Sequence, residues 1–312
     1  MILTVTMNPS IDMAYPLEHL AIDTVNRAQS VSKTAGGKGL NVSRVIHQMS
    51  HAVEATGVLG GNFGRFIEER LDDDQIKHHF SHIQQESRNS IAILHDHGAQ
   101  TEILESGPTL TSADAQQFLA NFQKLLRQSD LVTISGSLPR GLASDFYARM
   151  VTLAAQENVD VLLDASGDAL RAGIEGPDKP LLIKPNEDEL AALLNRPVDK
   201  TNLATLKQAL EAELFTGIEW IVVSLGAAGA FVKHGDKFYQ AQIPKINVVN
   251  PVGSGDSTLA GLAMALDRLE DDTTVISTGM TTGMLNTMEA QTGFVNPELF
   301  QQYYDLVKII PM

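Results

Sequence analysis

The sequence predicts an α/β fold in three layers, with a mainly parallel central sheet between two helical layers and a small β-sheet lid. Apolar runs of strand length alternate with longer helix-like segments, an alternation typical of parallel sheets covered on both faces. The run 218–225 carries four consecutive apolar residues from Trp220 to Val223, as expected of a strand buried on both sides. Candidate functional residues follow the ends of such runs, where ligands bind in folds of this class.

The predicted elements follow one another in a regular order. Strands are predicted at 3–7, 53–59, 131–135, 161–164, 180–184 and 220–225. Helices are predicted at 40–49, 113–127, 146–156, 187–194 and 203–214. Residues 1–7 lack a basic segment and are followed by Asn8-Pro9, so we expect a first strand there and not a signal peptide. We expect one domain over residues 1–312, a length that suits one large α/β domain or two small ones.

Two segments, 12–33 and 87–105, depart from the alternation. They hold short strand-like pieces, including 91–94 and 101–104, without helical periodicity. We interpret the two segments as one small β-sheet that projects from the main domain. Such a sheet would close over a site as a lid or pair with a second subunit, and we expect a homodimer formed through it.

The composition argues against several classes of function. The formal net charge of −15 disfavours a nucleic-acid or anionic-membrane partner, because neither tolerates that excess of negative charge. The chain has no cysteine, which excludes disulfides, thiolate nucleophiles and cysteine-ligated metals. No run approaches the roughly 18 apolar residues of a membrane span. We therefore expect a cytoplasmic protein, in which a negatively charged substrate would need a local cluster of lysine and arginine.

The segment 250–258, Asn-Pro-Val-Gly-Ser-Gly-Asp-Ser-Thr, predicts an anion site that ends in a carboxylate. The small residues 253–255 leave backbone N–H groups bare, and the apolar run 259–266 predicts that a helix begins beside them. At such a helix start, Asp256 could accept the proton of a hydroxyl that attacks a bound phosphate. On this motif alone, a structural loop with Asp256 as a first-turn dipole partner is an equal alternative.

A second glycine cluster at 34–42 runs into the predicted helix 40–49. It is not a Walker loop, because no Ser or Thr follows Lys38, and it is not a dinucleotide fingerprint. Its glycines would let the backbone approach a small ligand, Lys38 supplies charge, and the amide of Asn41 can both donate to and accept from sugar hydroxyls. The alternative is a tight turn with a surface lysine. Because both clusters lie at strand–helix junctions of one sheet, we favour a phosphotransferase.

The stretch 71–82 has the residue types of a metal site. It holds three consecutive aspartates at 72–74 and the histidines His78, His79 and His82. We interpret it as a polar helix and turn, an arrangement that does not require a metal.

Four motifs in order resemble the ribokinase-like (pfkB) family of carbohydrate kinases. The segment 35–41 (Ala-Gly-Gly-Lys-Gly-Leu-Asn) is similar to the family's N-terminal signature, and 184–189 (Lys-Pro-Asn-Glu-Asp-Glu) to its K-P-N-x-x-E motif. The segment 224–229 (Ser-Leu-Gly-Ala-Ala-Gly) is similar to its nucleotide loop, and 250–256 to its C-terminal signature. The resemblance runs nearly from end to end and implies a ribokinase-like fold and ATP-dependent phosphorylation of a carbohydrate.

Within that family the chain looks most like the branch that acts on sugar phosphates, through 6–12 (Thr-Met-Asn-Pro-Ser-Ile-Asp) and 135–139 (Ser-Gly-Ser-Leu-Pro). Ala92 stands where kinases of fructose 1-phosphate tend to carry lysine, and Asn250-Pro251 departs from the commoner family pattern. The resemblance therefore implies phosphorylation of D-tagatose 6-phosphate at its 1-hydroxyl, which gives tagatose 1,6-bisphosphate. A kinase of fructose 1-phosphate is the second interpretation.

The resemblance also implies roles for individual residues. Asp256 would be the catalytic base, and the donors to the transferring phosphoryl group would be Gly253, Ser254 and Gly255. The residues implied for the sugar phosphate are Asp12, Arg27, Gly36, Gly37, Lys38, Asn41, Arg88, Ser90 and Ser137. Those implied for the nucleotide are Lys184, Asn186, Ser224, Gly226, Gly229 and Asn286. The water shell of an ATP-bound Mg²⁺ would be organised by Asn186 and Glu189. A monovalent cation near Asn250 and Val252 is a further expectation.

Interpretations from two other classes are weaker. A non-catalytic sugar- or nucleotide-sensing protein of the same fold would be expected to lose Asp256 or the small residues 253–255, and both are present. A dinucleotide-dependent oxidoreductase would need G-x-G-x-x-G after its first strand and an acidic residue about 20 positions further on. The segment 8–12 (Asn-Pro-Ser-Ile-Asp) follows that strand instead.

Overall fold

The structure is a computed structural model that describes residues 1–96 and 98–312, and a long β-sheet runs through it. In chain order the strands are β1 (Ile2–Thr6), β2 (Ser10–Pro16), β3 (Ser32–Gly36), β4 (Val53–Gly60), β5 (Lys77–Ile83), β6 (Arg88–His95), β7 (Ala99–Leu104), β8 (Leu131–Ser135), β9 (Asp160–Asp164), β10 (Leu182–Ile183), β11 (Trp220–Ser224), β12 (Ala230–His234), β13 (Lys237–Gln242) and β14 (Lys308–Pro311). The long sheet has the order β14-β13-β12-β11-β10-β9-β8-β1-β4-β5. It is parallel from β11 to β5, whereas β12, β13 and β14 pair antiparallel at one edge.

Helices cover the long sheet on both faces. They are α1 (Lys38–Gln48), α2 (Gly61–Asp73), α3 (Ser112–Leu126), α4 (Phe146–Gln156), α5 (Gly167–Glu175), α6 (Glu187–Leu194), α7 (Leu203–Leu210), α8 (Ser254–Asp267), α9 (Asp272–Thr287) and α10 (Phe300–Tyr304). The helices predicted at 146–156 and 187–194 coincide with α4 and α6. Over the described residues, no helix is both long and apolar enough to cross a bilayer.

Two apolar cores lie on opposite faces of the sheet, because consecutive side chains of a strand point in opposite directions. In β11, Ile221 and Val223 pack into a core with α3 to α7, where the largest buried side chains include Phe118 and Tyr147. Trp220 in the same strand packs into a second core with α1, α8 and α9. One apolar core on each face of the sheet confirms the three-layer α/β fold that the sequence predicted. It also confirms that the strand at 220–224 is buried on both sides.

A second sheet of four strands, in the order β3-β2-β6-β7, stands beside the first. Strand β2 pairs parallel with β6 and antiparallel with β3, and β6 pairs antiparallel with β7. The sheet is the small separate one that the sequence predicted from 12–33 and 87–105. We call these four strands the lid sheet, and its closing movement remains a prediction.

The sequence reasoning missed helix α9 for a physical reason. Its sequence is rich in Thr, Gly and Met, and it is buried almost all round between α8 and neighbouring elements. A helix without an exposed polar face carries no amphipathic stripe, which is the signal that predicts most surface helices. The edge strands β12, β13 and β14 were missed as well.

The interpretation of 71–82 was wrong in its second half. Residues 77–83 form β5, the outermost strand of the long sheet, which pairs parallel with β4. His79 and His82 are exposed on this strand, and His82 lies 3.0 Å from the carboxylate of Glu68. Strand alternation points successive side chains to opposite faces, so the histidines are not gathered as they would be on one helical face.

Candidate active site

Two helix N-termini border one cleft. The N-cap residues are Gly37 for α1 and Gly253 for α8, with φ angles of 110° and 81°. These angles favour glycine, which explains the residue type at both positions. Because both caps are glycines, neither has a side chain to accept a hydrogen bond from the N–H groups of the first turn. Free donors and the positive ends of two helix dipoles make this cleft suited to an anion.

The cleft has a volume of about 380 Å³ and lies at the carboxyl ends of β9, β10 and β11. The predicted site residues that line it are Asp12, Gly37, Lys38, Asn41, Arg88, Ser90, Lys184, Asn186, Glu189, Ser224, Gly253, Gly255 and Asp256. Residues without a predicted role that also line it are Ser10, Glu102, Asp164 and Thr292, and Val252, expected near a monovalent cation, lines it as well. The fold therefore brings the four family-like motifs and the lid sheet to one place.

Asp256 lies in the first turn of α8 and is buried, with 6% of its surface exposed. The Nδ2 of Asn41 donates a hydrogen bond of 2.8 Å to its Oδ2. Burial raises the pKa of Asp256 to about 6, although the charge of Lys38 opposes the rise, and the carboxylate of Asp164 adds to it. A carboxylate that is ionised at neutral pH but holds a proton readily has the properties of a general base.

Two ammonium groups share one buried carboxylate beside Asp256. The Nζ of Lys184 lies 3.2 Å from one oxygen of Asp164, and the Nζ of Lys38 lies 3.4 Å from the other. Burial favours the neutral form of Asp164, but the two lysines outweigh it and hold the pKa of that carboxyl below its usual value. The same pairing raises the pKa of Lys38 to about 12. Lys38 is therefore fixed as a cation at the cleft, and Lys184 lies on the other side of the same carboxylate.

Asp12 enters the cleft from the lid sheet. Its Oδ1 accepts a hydrogen bond of 2.6 Å from the hydroxyl of Ser10, and burial raises the pKa of its carboxyl. A Cβ atom at Gly36 would lie only 2.0 Å from the Cγ of Asp12, so this carboxylate can occupy its position only because residue 36 is glycine. Ser90 lies opposite Asp12 on β6, which places a hydroxyl and a carboxylate side by side above the cleft.

A smaller cavity of about 210 Å³ adjoins the cleft and shares Gly37, Lys38 and Arg88 with it. Its other lining residues are Thr6, Asn8, Ser135, Gly136, Ser137 and Ser166. The guanidinium of Arg88 is held there by hydrogen bonds to the carbonyl oxygens of Asn8 (3.0 Å) and Glu105 (3.2 Å). Within the described residues, the buried hydroxyls of Thr6 and Ser135 have no hydrogen-bond partner. Unpaired buried donors beside an arginine are suited to a ligand with several acceptor oxygens.

A comparison with known protein families identifies the family to which this chain belongs. The model of the pfkB family carbohydrate kinases matches residues 5–299. The chain belongs to the pfkB family of carbohydrate kinases. Members of this family transfer phosphate from ATP, so the chain is an ATP-dependent carbohydrate kinase, and the oxidoreductase interpretation is dropped.

Solved structures of this pfkB kinase's relatives share its fold over nearly the whole chain. A Staphylococcus aureus protein designated a phosphofructokinase is 31% identical, with a TM-score of 0.86 over 100% of this chain and 99% of that one. A Thermotoga maritima protein designated a 1-phosphofructokinase is 25% identical, with a TM-score of 0.89 over 100% and 99%. Phosphofructokinase-2 of Escherichia coli, solved in complex with potassium, is 24% identical, with a TM-score of 0.91 over 97% and 98%.

One end of the kinase cleft is built on α6. Asn186 caps this helix by accepting a 2.9 Å hydrogen bond from the N–H of Glu189, whose carboxylate accepts a 3.0 Å bond from the N–H of Asn186. Both side chains also line the cleft, together with Ser224 at the end of β11. The capping pair therefore fixes two oxygen-bearing side chains at the position where the resemblance places the ATP phosphates.

The donor types at this end fit Mg²⁺. The oxygens of Asn186 and Glu189 are hard ligands of the kind that Mg²⁺ prefers. In the described ranges, no group of three or more His, Cys, Asp or Glu side chains is arranged to enclose a metal ion. A cation carried by ATP phosphates needs no such enclosure, because Mg²⁺ keeps several of its waters and uses one or two carboxylates.

Some predicted site residues do not line the cleft. Arg27 is exposed on the segment between β2 and β3 and lines neither cavity. Gly226 and Gly229 lie in and after the 3₁₀ turn Gly226–Ala228, just beyond Ser224. Ser254 begins α8 without lining the cleft, Gly36 lies behind Asp12, and Ser137 lines the smaller cavity.

Asn286, predicted for the nucleotide, lies behind the cleft and lines neither cavity. It is fully buried, and its Nδ2 donates a 2.9 Å hydrogen bond to the carbonyl oxygen of Val252. Its Oδ1 accepts hydrogen bonds from the hydroxyl of Ser257 (3.0 Å) and the N–H of Gly293 (2.8 Å). With both ends of its buried amide engaged, Asn286 holds the loop before α8 in place, and its role toward a nucleotide stays a prediction.

Proposed function

We propose that this kinase transfers the γ-phosphoryl group of ATP to the free primary hydroxyl of a ketohexose monophosphate, with D-tagatose 6-phosphate as its preferred acceptor. The observation that carries the proposal is the 2.8 Å hydrogen bond between Asn41 and Asp256. Through this bond the proposed base contacts the motif that is proposed to bind the sugar, at the N-terminus of α8. An acceptor hydroxyl beside Asn41 would therefore lie within reach of the Asp256 carboxylate.

In the proposed reaction, Asp256 accepts the proton of the attacking 1-hydroxyl as the oxygen bonds to the γ-phosphorus and ADP leaves. The N–H groups at the start of α8 donate to the oxygens of the transferring group, on which negative charge is spread. The ammonium groups of Lys38 and Lys184 flank the same region and reduce the electrostatic cost of bringing two phosphorylated substrates together. MgATP would be bound by Lys184, Asn186, Glu189 and Ser224, with the metal neutralising phosphate charge.

The phosphate already present on the acceptor is proposed to occupy the smaller cavity. Arg88 offers a planar pair of donors that match phosphate oxygens, and Lys38 adds a second charge. The hydroxyls of Thr6, Ser135 and Ser137 line the same cavity. The sugar ring would then extend into the main cleft, where Asp12, Asn41 and Ser90 meet its hydroxyls.

The choice of acceptor rests on the sequence. Ala92 follows two positions after Ser90 on β6 and pairs with Glu102 of β7, so this part of the lid sheet carries a carboxylate without a neighbouring lysine. This pattern, with Asn250-Pro251, favours D-tagatose 6-phosphate. Fructose 1-phosphate is the second candidate, because the 25% identical Thermotoga maritima relative is designated a 1-phosphofructokinase.

The lid sheet is proposed to form a homodimer. Its outer face carries a groove lined by apolar residues that include Tyr15, Ile91 and Ile93. Ile22 and Val25, in the adjoining segment, are 82% and 71% exposed. An apolar surface of this kind is typical of a protein–protein interface. The cytoplasmic location and a monovalent cation near Asn250 stay predictions.

A coupled assay tests the proposed function. ADP release would be measured with MgATP and, in turn, D-tagatose 6-phosphate, fructose 1-phosphate and fructose 6-phosphate. We expect the highest kcat/KM with D-tagatose 6-phosphate. A higher value with fructose 1-phosphate would transfer the assignment to the second candidate, and no turnover with any of the three would contradict a sugar-phosphate kinase.

A further inference from the structure

Arg44 is a buried guanidinium close to the proposed base, and the reaction described above does not use it. It lies three positions after Asn41 on α1 and is 3% exposed. Its Nη2 donates to the carbonyl oxygen of Ala35 at 2.5 Å, and its Nη1 to the Oδ1 of Asn41 at 3.3 Å. Its carboxylate partner, Asp74 at 3.5 Å, is itself 42% exposed. Arg44 thus contacts the end of the lid sheet and the sugar-binding motif, without lining the cleft.

The contact with Arg44 determines which way the amide of Asn41 faces. An asparagine side chain has an oxygen and a nitrogen of nearly equal size at its end, so packing alone does not select its orientation. A guanidinium is a donor only, so it requires the oxygen of Asn41 on its side. The nitrogen then faces Asp256 and donates to it at 2.8 Å. In the reverse orientation the Oδ1 of Asn41 would face the carboxylate oxygen of Asp256, and two acceptors would repel each other.

The loop after α9 closes over this contact. Gly293 has a φ of 71°, and a Cβ atom there would lie 2.9 Å from both the Nη1 of Arg44 and the Oδ1 of Asn41. The N–H of Gly293 donates to Asn286, which also binds the carbonyl oxygen of Val252. The ring of Phe294 lies 5.1 Å from the guanidinium carbon. The Arg44–Asn41 pair therefore packs against the backbone of Gly293, and the Arg44 guanidinium also against the ring of Phe294, in a loop that Asn286 ties to the segment before α8.

We propose that Arg44 is a positioning residue for phosphoryl transfer, which holds the Asp256 carboxylate through the amide of Asn41 and does not touch substrate. The proposal rests on the function proposed above, in which Asp256 is the base. It goes beyond the four sequence motifs, because it assigns a role to a buried arginine that does not line the cleft.

The proposal has a specific consequence for pH dependence. The groups that act on Asp256 are Lys38 and Lys184, which favour its ionised form, Asp164, which opposes it, and the hydrogen bond from Asn41, which favours it. Loss of the correctly oriented amide removes one stabilising contact of the ionised form. The acid limb of kcat should therefore move to higher pH when Arg44 is replaced.

The test compares Arg44→Met with Asp74→Asn in the full-length kinase. Met keeps most of the side-chain length but no donor, and we expect kcat to fall by up to about 100-fold, with the KM for MgATP unchanged and the acid limb moved upward. Asp74→Asn weakens the outer ion pair of Arg44 and leaves its contact with Asn41, so its kcat and acid limb should match the wild type. An unchanged acid limb in Arg44→Met would overturn the proposal.

A double-mutant cycle with Asn41→Ala separates positioning from general packing. If Arg44 acts through Asn41, Arg44→Met should have little further effect on kcat in the Asn41→Ala background. Additive losses would overturn the proposal. If Arg44→Met does not fold, the cycle is run with Arg44→Lys under the same criterion, since one ammonium cannot replace all of the guanidinium contacts. Asp256→Asn separates a failure of the Arg44 proposal from a failure of the proposed function. Full activity in that variant would contradict the proposed function itself, whatever the result for Arg44.

Discussion

The amide of Asn41 donates a 2.8 Å hydrogen bond to the carboxylate of Asp256, across 215 positions of the chain. This contact joins two glycine-rich segments that begin helices α1 and α8. Each segment alone is compatible with a simple structural turn. The fold places both segments on the same cleft, where one is proposed to supply sugar-binding groups and the other phosphate-binding N–H groups and a base.

Arg88 and Arg27 make a matched pair for testing how the acceptor phosphate is bound. Arg88 lines both cavities, whereas Arg27 is exposed and lines neither. We expect Arg88→Ala to raise the KM for the sugar phosphate by about 10-fold to 100-fold without changing the KM for MgATP, since it loses a charge-assisted phosphate contact. Arg27→Ala should leave both constants unchanged. Steady-state kinetics with each substrate varied in turn provides the measurement, and equal effects of the two variants would argue against the phosphate cavity.

The raised pKa of Asp256 predicts how activity depends on pH. Burial moves this pKa from 3.8 to about 6, and a base must be deprotonated to act. We expect kcat to be constant above neutrality and to fall as the pH decreases through about 6. The measurement is kcat between pH 5 and pH 8 at saturating substrates. An activity that stays level down to pH 5 would exclude Asp256 as the titrating base.

The raised pKa of Asp256 also predicts an effect on stability, because the ionised carboxylate that activity requires destabilises the folded state. A carboxyl whose pKa is raised by folding destabilises the folded state when it is ionised, so the cost is present above the folded pKa of about 6 and disappears below 3.8. Asp256→Asn should therefore be at least as stable as the wild type at pH 7.5. Thermal denaturation checks this, and a large drop in Tm would show that the carboxylate supports the fold.

Asp164 is predicted to stabilise the site through its two lysines. Its side chain is 2% exposed and that of Lys184 is 5% exposed, so Asp164→Asn leaves a buried ammonium without its counter-charge. We expect the free energy of unfolding to fall by about 3 kcal/mol in urea titrations. Asp130 is a matched control, because it pairs with the N-terminal amine of Met1 but is 75% exposed. Asp130→Asn should cost less than about 1 kcal/mol, and similar losses in both variants would argue against the buried lysine cluster.

The lid sheet is predicted to hold two copies of the chain together. Ile103 lies on β7 and is 53% exposed, and Leu269 after α8 is 92% exposed. We expect a dimer at micromolar concentration by sedimentation velocity, weakened by Ile103→Glu because a charge would enter an apolar interface. Leu269→Glu, outside the lid sheet, should sediment as the wild type does. A monomeric wild type would reject dimerisation through the lid.

The sequence predicted the parts of this molecule that depend on local patterns. The strand 220–224 was recognisable because its four consecutive apolar residues must be buried on both faces. Helix α6 was predicted at its observed bounds from the apolar spacing after Asn186. The two glycine clusters were recognised as helix starts because glycine in front of an apolar run leaves backbone donors free.

The rest of the site depends on contacts between distant segments. Asp164 is the last residue of the predicted strand 161–164, but its role depends on Lys38 and Lys184, which only the fold brings to its two oxygens. Arg27 and Arg88 were both predicted to hold the acceptor phosphate, and the path of the lid sheet brings Arg88 to the cleft and leaves Arg27 exposed. Asn286 was assigned to the nucleotide pocket, although packing of α9 against α8 directs its amide into the protein.

The most direct test of the central claim is the kinetics of Asp256→Asn with MgATP and D-tagatose 6-phosphate. Asn is nearly isosteric with Asp but cannot accept the proton of the attacking hydroxyl. We expect kcat to fall by about 1,000-fold or more, with the Kd for MgATP unchanged within about twofold. A kcat within about tenfold of the wild type would contradict the assignment of Asp256 as the base, and with it the mechanism proposed for this kinase.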